Sequence, residues 1–113
     1  MADATTTVGE LRDRVKGFVQ VRDWERFHQP KDLAIALSIE ASELLERFLW
    51  RSGSGSDLEG EERDALGDEL ADVVIYALSF CNAIDLDLSD AIRRKMEKNE
   101  ARYPAANVRG AAP

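Results

Sequence analysis

The sequence predicts an all-α fold, a four-helix bundle in a single domain, and three observations carry that expectation. Apolar residues recur at helical spacing in four separate stretches, no stretch alternates as a half-buried strand would, and short connections join the stretches. A chain of 113 residues suits one hydrophobic core rather than two. With 44% hydrophobic and 33% charged residues, it has the composition of a folded soluble domain.

The first helix is expected from Thr7 to about Trp24. Thr7-Val-Gly-Glu10 has the form of a capping box, in which Thr and Glu satisfy free amides at a helix start. Leu11, Val15, Phe18 and Val19 mark its inner side. A short connection, Glu25 to Gln29, leads to Pro30, a residue suited to the first helical turn. The second helix is predicted from Pro30 to Trp50, with Leu33, Leu37, Leu44 and Phe48 as its core stripe. Ile35, Ile39, Leu45 and Leu49 make it apolar on most sides, which places it centrally or at a subunit interface. Arg51 to Gly60, with Ser-Gly-Ser-Gly-Ser, reads as a loop between helices. The third helix is expected over Glu61 to Ala83, with Leu66, Leu70, Val73, Ala77 and Phe80 inward. Cys81 lies on the same core side. Asp87 or Ser89 is the candidate N-cap of a fourth helix, Asp90 to Arg102, which Pro104 closes. Residues 1–104 thus form one domain, and 105–113 a flexible C-terminal tail.

Charge and composition exclude several function classes. There are 15 Lys and Arg against 22 Asp and Glu, a net charge of −7. Such a chain is a poor binder of nucleic-acid polymers or of anionic membranes, which rely on basic residues. One cysteine cannot close an intrachain disulfide, and Cys81 with His28 cannot make a zinc site alone. The N-terminus lacks the basic start and apolar stretch of a secretory signal. The longest uncharged run, Val73 to Ile84, is 12 residues, too short to span a bilayer. A cytoplasmic location is the expectation.

The chemistry is carried by carboxylates on apolar helices. Glu40 falls inside the stripe of Leu33, Leu37, Leu44 and Phe48, where periodicity asks for an apolar residue, and Glu43 follows on the same face. The third helix repeats the pattern with Glu69 and Asp72, and Tyr76 continues the line. Side by side, the two helices would bring four acids together. At ~5 Å and an effective dielectric of about 20, each pair repels by roughly 3 kcal/mol. Such a cluster is relieved by protons or by a cation, and hard carboxylate oxygens suit Mg²⁺ or Mn²⁺. The plainer alternative is a solvated acidic face paired with Arg or Lys. A di-iron bundle would need Glu-x-x-His on two helices, and the only histidine, His28, precedes the second helix. On the fourth helix Lys95, Asn99 and Arg102 share one side, with Tyr103 adjacent; the plainer reading is a solvated helix end complementing its dipole, but beside a carboxylate cluster these are residues a polyphosphate would require. Trp24, Phe27, His28, Trp50 and Tyr76 are candidate stacking partners for a nucleobase, or core packing residues.

Glu40-x-x-Glu43 followed by Glu69-x-x-Asp72 resembles the signature of the all-α nucleoside triphosphate pyrophosphohydrolases, the MazG-like superfamily. The strings Arg22-Asp-Trp-Glu-Arg-Phe-His-Gln-Pro30, Phe48-Leu-Trp50, Asp68-Glu-Leu-Ala-Asp-Val-Val-Ile-Tyr76 and Lys95-Met-Glu-Lys-Asn-Glu-Ala-Arg-Tyr-Pro104 are similar to its dCTP pyrophosphatase branch. The resemblance implies Mg²⁺-dependent hydrolysis of a nucleoside triphosphate to its monophosphate and pyrophosphate. It implies that Glu40, Glu43, Glu69 and Asp72 hold the metal and help activate water. Lys95, Asn99, Arg102 and Tyr103 would contact phosphate or sugar, and His28, Trp50 and Tyr76 base or sugar. It further implies a homodimer or homotetramer with shared active sites. The branch favours dCTP or a modified dCTP; the alternatives are the same reaction on dUTP or an oxidised nucleotide, or a non-catalytic helical interaction module. Glu46 and Asp68 are additional acids beside the motif, with no role assigned.

Overall fold

The computed structural model describes residues 1–51, 53–55 and 58–112. Ser52, Ser56 and Asp57 of the expected loop, and Pro113 of the tail, lie outside the described residues. Every element among the described residues is helical: α1 (Val8–Gln20), a single 3-10 turn (Glu25–Phe27), α2 (Pro30–Glu46), α3 (Gly60–Ile84), α4 (Leu88–Arg102) and α5 (Ala105–Val108). None of these helices is long and apolar enough to cross a membrane. The short α5 forms where the sequence reading expected only a loose tail.

The helix starts follow from local chemistry. The Thr7 hydroxyl accepts from the Glu10 amide at 3.0 Å, and the Asp87 carboxylate accepts from the Asp90 amide at 2.9 Å. Of the two N-caps the sequence offered for α4, Asp87 is the one used. Pro30 occupies the first turn of α2, where its missing N–H would have no helical partner.

Two helix ends differ from the expected ones. The first helix stops at Gln20, not Trp24, because Asp23 adopts a left-handed conformation at φ 54°. The Trp24 amide then donates back to the Val19 carbonyl at 3.1 Å and that of Asp23 to Gln20 at 3.0 Å, a Schellman closure. The second helix stops at Glu46, not Trp50. Arg47, Phe48 and Leu49 donate to carbonyls three residues back, tightening the chain until Trp50 turns left-handed at φ 68°.

Packing is led by α2 against α3, with α1 on the other flank of α3. Pairings between α2 and α3 run in opposite order, Arg51 with Glu62 and Arg47 with Glu69, so the two helices are antiparallel. The Arg12 Nε donates to the Asn82 Oδ1 and the Asn82 Nδ2 to the Arg12 carbonyl, both at 3.1 Å, clamping α1 onto α3. Helix α4 stands off from this body without a comparable packing neighbour. The radius of gyration, 17.0 Å, accordingly exceeds the ~13 Å of a compact domain of this length.

The buried core is small: Val19, Leu33, Leu78 and Cys81, with Ser79 as a buried polar residue. Leu37, Leu44 and Phe48 are half-buried on the predicted stripe of α2. Phe18 is not inward as expected. Val19 takes the core position, while Phe18 stays exposed, edge-on to Trp24 at 5.9 Å and covered by the Arg22 guanidinium at 3.6 Å. Leu70, also expected inward, is 52% exposed, while its neighbour Glu69 takes the position beside Glu40 and Glu43 of α2. Ile35, Ile39, Leu45 and Leu49 all remain exposed, an apolar face with no counterpart among the described residues.

Candidate active site

The α2–α3 pair carries the acidic centre. Glu40 and Glu43 are one helical turn apart on α2, and the antiparallel arrangement sets Glu69 of α3 opposite them. One carboxylate oxygen from each lies within 4.8 Å of the others. The Glu40 Oε2 is buried without a hydrogen-bond partner. An unpaired buried carboxylate oxygen is costly, and here it faces two further acids. Hydrogen bonding to Glu40, then the negative charge of Glu40, raises the pKa of Glu43 above its ordinary 4.5, while a hydrogen bond with Glu69 opposes the shift. The three groups therefore share a deficit of positive charge that a proton or a cation relieves.

The donor set fits a hard divalent cation: three carboxylates, no sulfur and no imidazole, with one oxygen lacking any partner. Asp72, the fourth acid expected there, is exposed on α3 and is not one of the three converging groups.

Arginines border the cluster, which sequence reasoning did not single out. The Arg47 guanidinium approaches the Glu69 Oε1 at 3.5 Å, and Arg51 pairs with Glu62 at 2.9 Å. The signal was present in the spacing, because Arg47 lies four residues after Glu43 and therefore over the same face of α2. With its side chain 42% exposed, Arg47 only partly offsets the acids.

Farther along the same helix pair is a cleft of about 260 Å³ lined by Trp24, Phe27, His28, Asp32, Leu33, Ala36 and Tyr76. It gathers His28 and Tyr76, both expected on a base, with two further aromatic rings. A second cleft of about 250 Å³ lies on the other side of His28, between α1 and α3, against Val15, Lys16 and Asn82. Trp50 does not join either cleft; it is 101% exposed at the end of α2. Lys95, Asn99, Arg102 and Tyr103 lie on or just after α4, which makes at most marginal contact with the α2–α3 pair. Lys95 and Arg102 are exposed, and the Arg102 guanidinium sits over the Tyr103 ring at 5.2 Å. Among the described residues, the carboxylates and the aromatic cleft share the α2–α3 pair, and the basic residues stand apart from it on α4.

Comparison with known proteins bears on this arrangement. Residues 35–111 match the MazG-like family. The chain is 39% identical to dCTP pyrophosphatase 1 of Mus musculus and 38% identical to that of Homo sapiens. Each match covers 109 residues, 94% of this chain and 64% of the relative, so the chain spans somewhat less than two thirds of these proteins. The crystal structure of a pyrophosphatase from Archaeoglobus fulgidus is 40% identical, with a TM-score of 0.78 over 92% of this chain and 98% of that one. On the family match across most of its length, supported by that shared fold, the chain belongs to the MazG-like family.

Proposed function

We propose that the protein is a nucleotide pyrophosphohydrolase that converts a deoxynucleoside triphosphate, dCTP or a modified dCTP, to its monophosphate and pyrophosphate. The observation that carries this reading is the pairing of an under-neutralised three-carboxylate centre with an aromatic cleft on one antiparallel helix pair. Tyr76 lies seven residues from Glu69 on α3, about 10 Å along the axis, a spacing suited to a base at one end and phosphates at the other. The names of the relatives, dCTP pyrophosphatase 1 and a pyrophosphatase, point the same way.

Glu40, Glu43 and Glu69, with Asp72 one turn on, would hold Mg²⁺, or Mn²⁺ in its place. Bound there, the cation supplies positive charge against the phosphate oxygens. Within the chain, a carboxylate of the cluster accepts a proton from the attacking water. His28 and Tyr76 hold the base, and hydrolysis separates the monophosphate from pyrophosphate without a covalent enzyme intermediate. Lys95, Asn99, Arg102 and Tyr103 stabilise charge on the departing pyrophosphate. A second copy of the chain supplies them, in keeping with the marginal packing of α4 on the α2–α3 pair. The exposed Ile35, Ile39, Leu45 and Leu49 support such a homodimer or homotetramer, since burying this face removes the largest apolar surface of α2 from water. Trp50 completes the base site from the same interface.

The test is a panel of canonical and modified dNTPs assayed for pyrophosphate release with Mg²⁺. Fastest turnover is expected on dCTP or a modified dCTP. Glu43→Ala and Asp72→Ala are expected to abolish release while the protein stays helical. Full activity in either variant removes that carboxylate from the site. No release from any triphosphate, with Mg²⁺ or Mn²⁺, overturns the enzymatic reading in favour of an interaction module.

A further inference from the structure

Among the described residues lining the aromatic cleft, Asp32 is the one carboxylate. It lies in the first turn of α2, eight residues before Glu40 and so about 12 Å from it along the axis. The antiparallel pairing puts Tyr76, seven residues beyond Glu69 on α3, at the same level. Asp32 thus stands remote from the clustered acids, among rings that would cover the faces of a base. It plays no part in the chemistry described above. A favourable interaction of its negative charge with the helix N-terminus accounts for a place in the first turn, but not for a place inside an aromatic cleft.

We propose that Asp32 determines base specificity by accepting a hydrogen bond from the exocyclic amino group of a 4-aminopyrimidine. Stacking by Trp24, Phe27, His28 and Tyr76 is tolerant of base identity, because every base has a π-face. Discrimination then falls to the polar groups on the cleft wall. An ionised carboxylate only accepts hydrogen bonds. The 4-amino group of cytosine offers it a donor, whereas the 4-oxo group of uracil or thymine would set two acceptors against each other. Leaving a polar group of the site unpaired against the wrong ligand is the strong form of discrimination. This inference rests on the proposed placement of a base in the cleft, and it adds the residue that chooses among pyrimidines.

The experiment measures binding of dCMP, dUMP and N4,N4-dimethyl-dCMP by calorimetry, to wild type and to Asp32→Asn and Asp32→Ser. Wild type is expected to prefer dCMP over dUMP, and over the dimethylated ligand, by about tenfold or more, as a hydrogen bond to a charged group allows. In Asp32→Asn, whose amide both donates and accepts, the dCMP-to-dUMP ratio is expected to fall towards one. Asp32→Ser, which removes the charge, is expected to lose the penalty on dUMP, and it keeps the test open if the first variant folds poorly. A helix-dipole role alone would lower the melting temperature and leave the ligand ratio unmoved, which overturns the proposal. Equal wild-type affinity for dCMP and its dimethylated form overturns it as well. Failure of every pyrimidine nucleotide to bind removes the base from the cleft, and with it the reading on which Asp32 depends. Binding of dCMP with an unchanged ratio in the variants refutes Asp32 alone and leaves the pyrophosphohydrolase reading standing.

Discussion

Replacing Glu40 by Gln is expected to stabilise the metal-free protein while removing its function. Glu40 and Glu69 present oxygens within 4.8 Å of each other. At an effective dielectric of about 20 their repulsion is about 3.5 kcal/mol, reduced by Arg47 beside Glu69 and by water. The glutamine amide also turns the orphaned position of Oε2 into a donor facing carboxylates, which relieves a buried unsatisfied acceptor. A net gain of about 2 kcal/mol follows, or about 8 °C in melting temperature for a chain of this size. The assay is thermal unfolding in EDTA and in Mg²⁺ at one protein concentration, alongside pyrophosphate release. Wild type should melt lower in EDTA and rise with Mg²⁺ by mass action. Glu40→Gln should melt higher in EDTA, gain little from Mg²⁺, and lose about 100-fold or more in turnover. A variant that melts below wild type in EDTA, and that Mg²⁺ raises as much as it raises wild type, would refute the argument that these acids are held together for a cation.

The raised pKa of Glu43 has a consequence of definite sign. Between the ordinary 4.5 and its raised value the folded state keeps a proton that the unfolded state has lost, so metal-free stability declines as pH rises through that window. Chemical denaturation in EDTA across that range checks this, and a flat profile there contradicts it. Leu33, at 2% exposure, anchors α2 in the small core. Leu33→Ala should destabilise by about 2–4 kcal/mol in urea unfolding, and a loss below about 1 kcal/mol would mean that the site collapses around the gap.

Much of this was legible in the sequence because helical periodicity and capping are local. Thr7, Pro30 and Asp87 mark real helix starts, and the α2 stripe from Leu33 to Phe48 does turn inward. The acidic residues inside that stripe pointed to the place where three carboxylates converge, since an apolar period interrupted by Glu40 has no packing explanation. The helix ends were less legible. A stop is usually announced by glycine, but here Asp23 and Asp85 take the left-handed position, at φ 54° in both cases. Aspartate tolerates that conformation and is equally common elsewhere, so it leaves a weak mark. Phe18 and Val19 are adjacent and comparably apolar, yet Val19 takes the buried position while Phe18 lies outside against Trp24 and Arg22. The position of α4 lay beyond the reach of periodicity. A pattern fixes which side of a helix is apolar, not which neighbour covers it or whether that neighbour belongs to the same chain.

Trp50 stands fully in water on a left-handed backbone, while the other tryptophan, Trp24, is 44% exposed and sits against Phe18. The pair gives the protein two optical probes in contrasting surroundings. In the isolated chain the indole of Trp50 should emit at the long wavelengths of a solvated ring and be open to quenching by iodide. Any contact that covers the end of α2 would dry that ring, shift its emission to the blue and shield it from quencher. Trp24, partly shielded by Phe18, would change less. The exposed indole thus makes assembly of the chain readable in the light it emits, with no label attached.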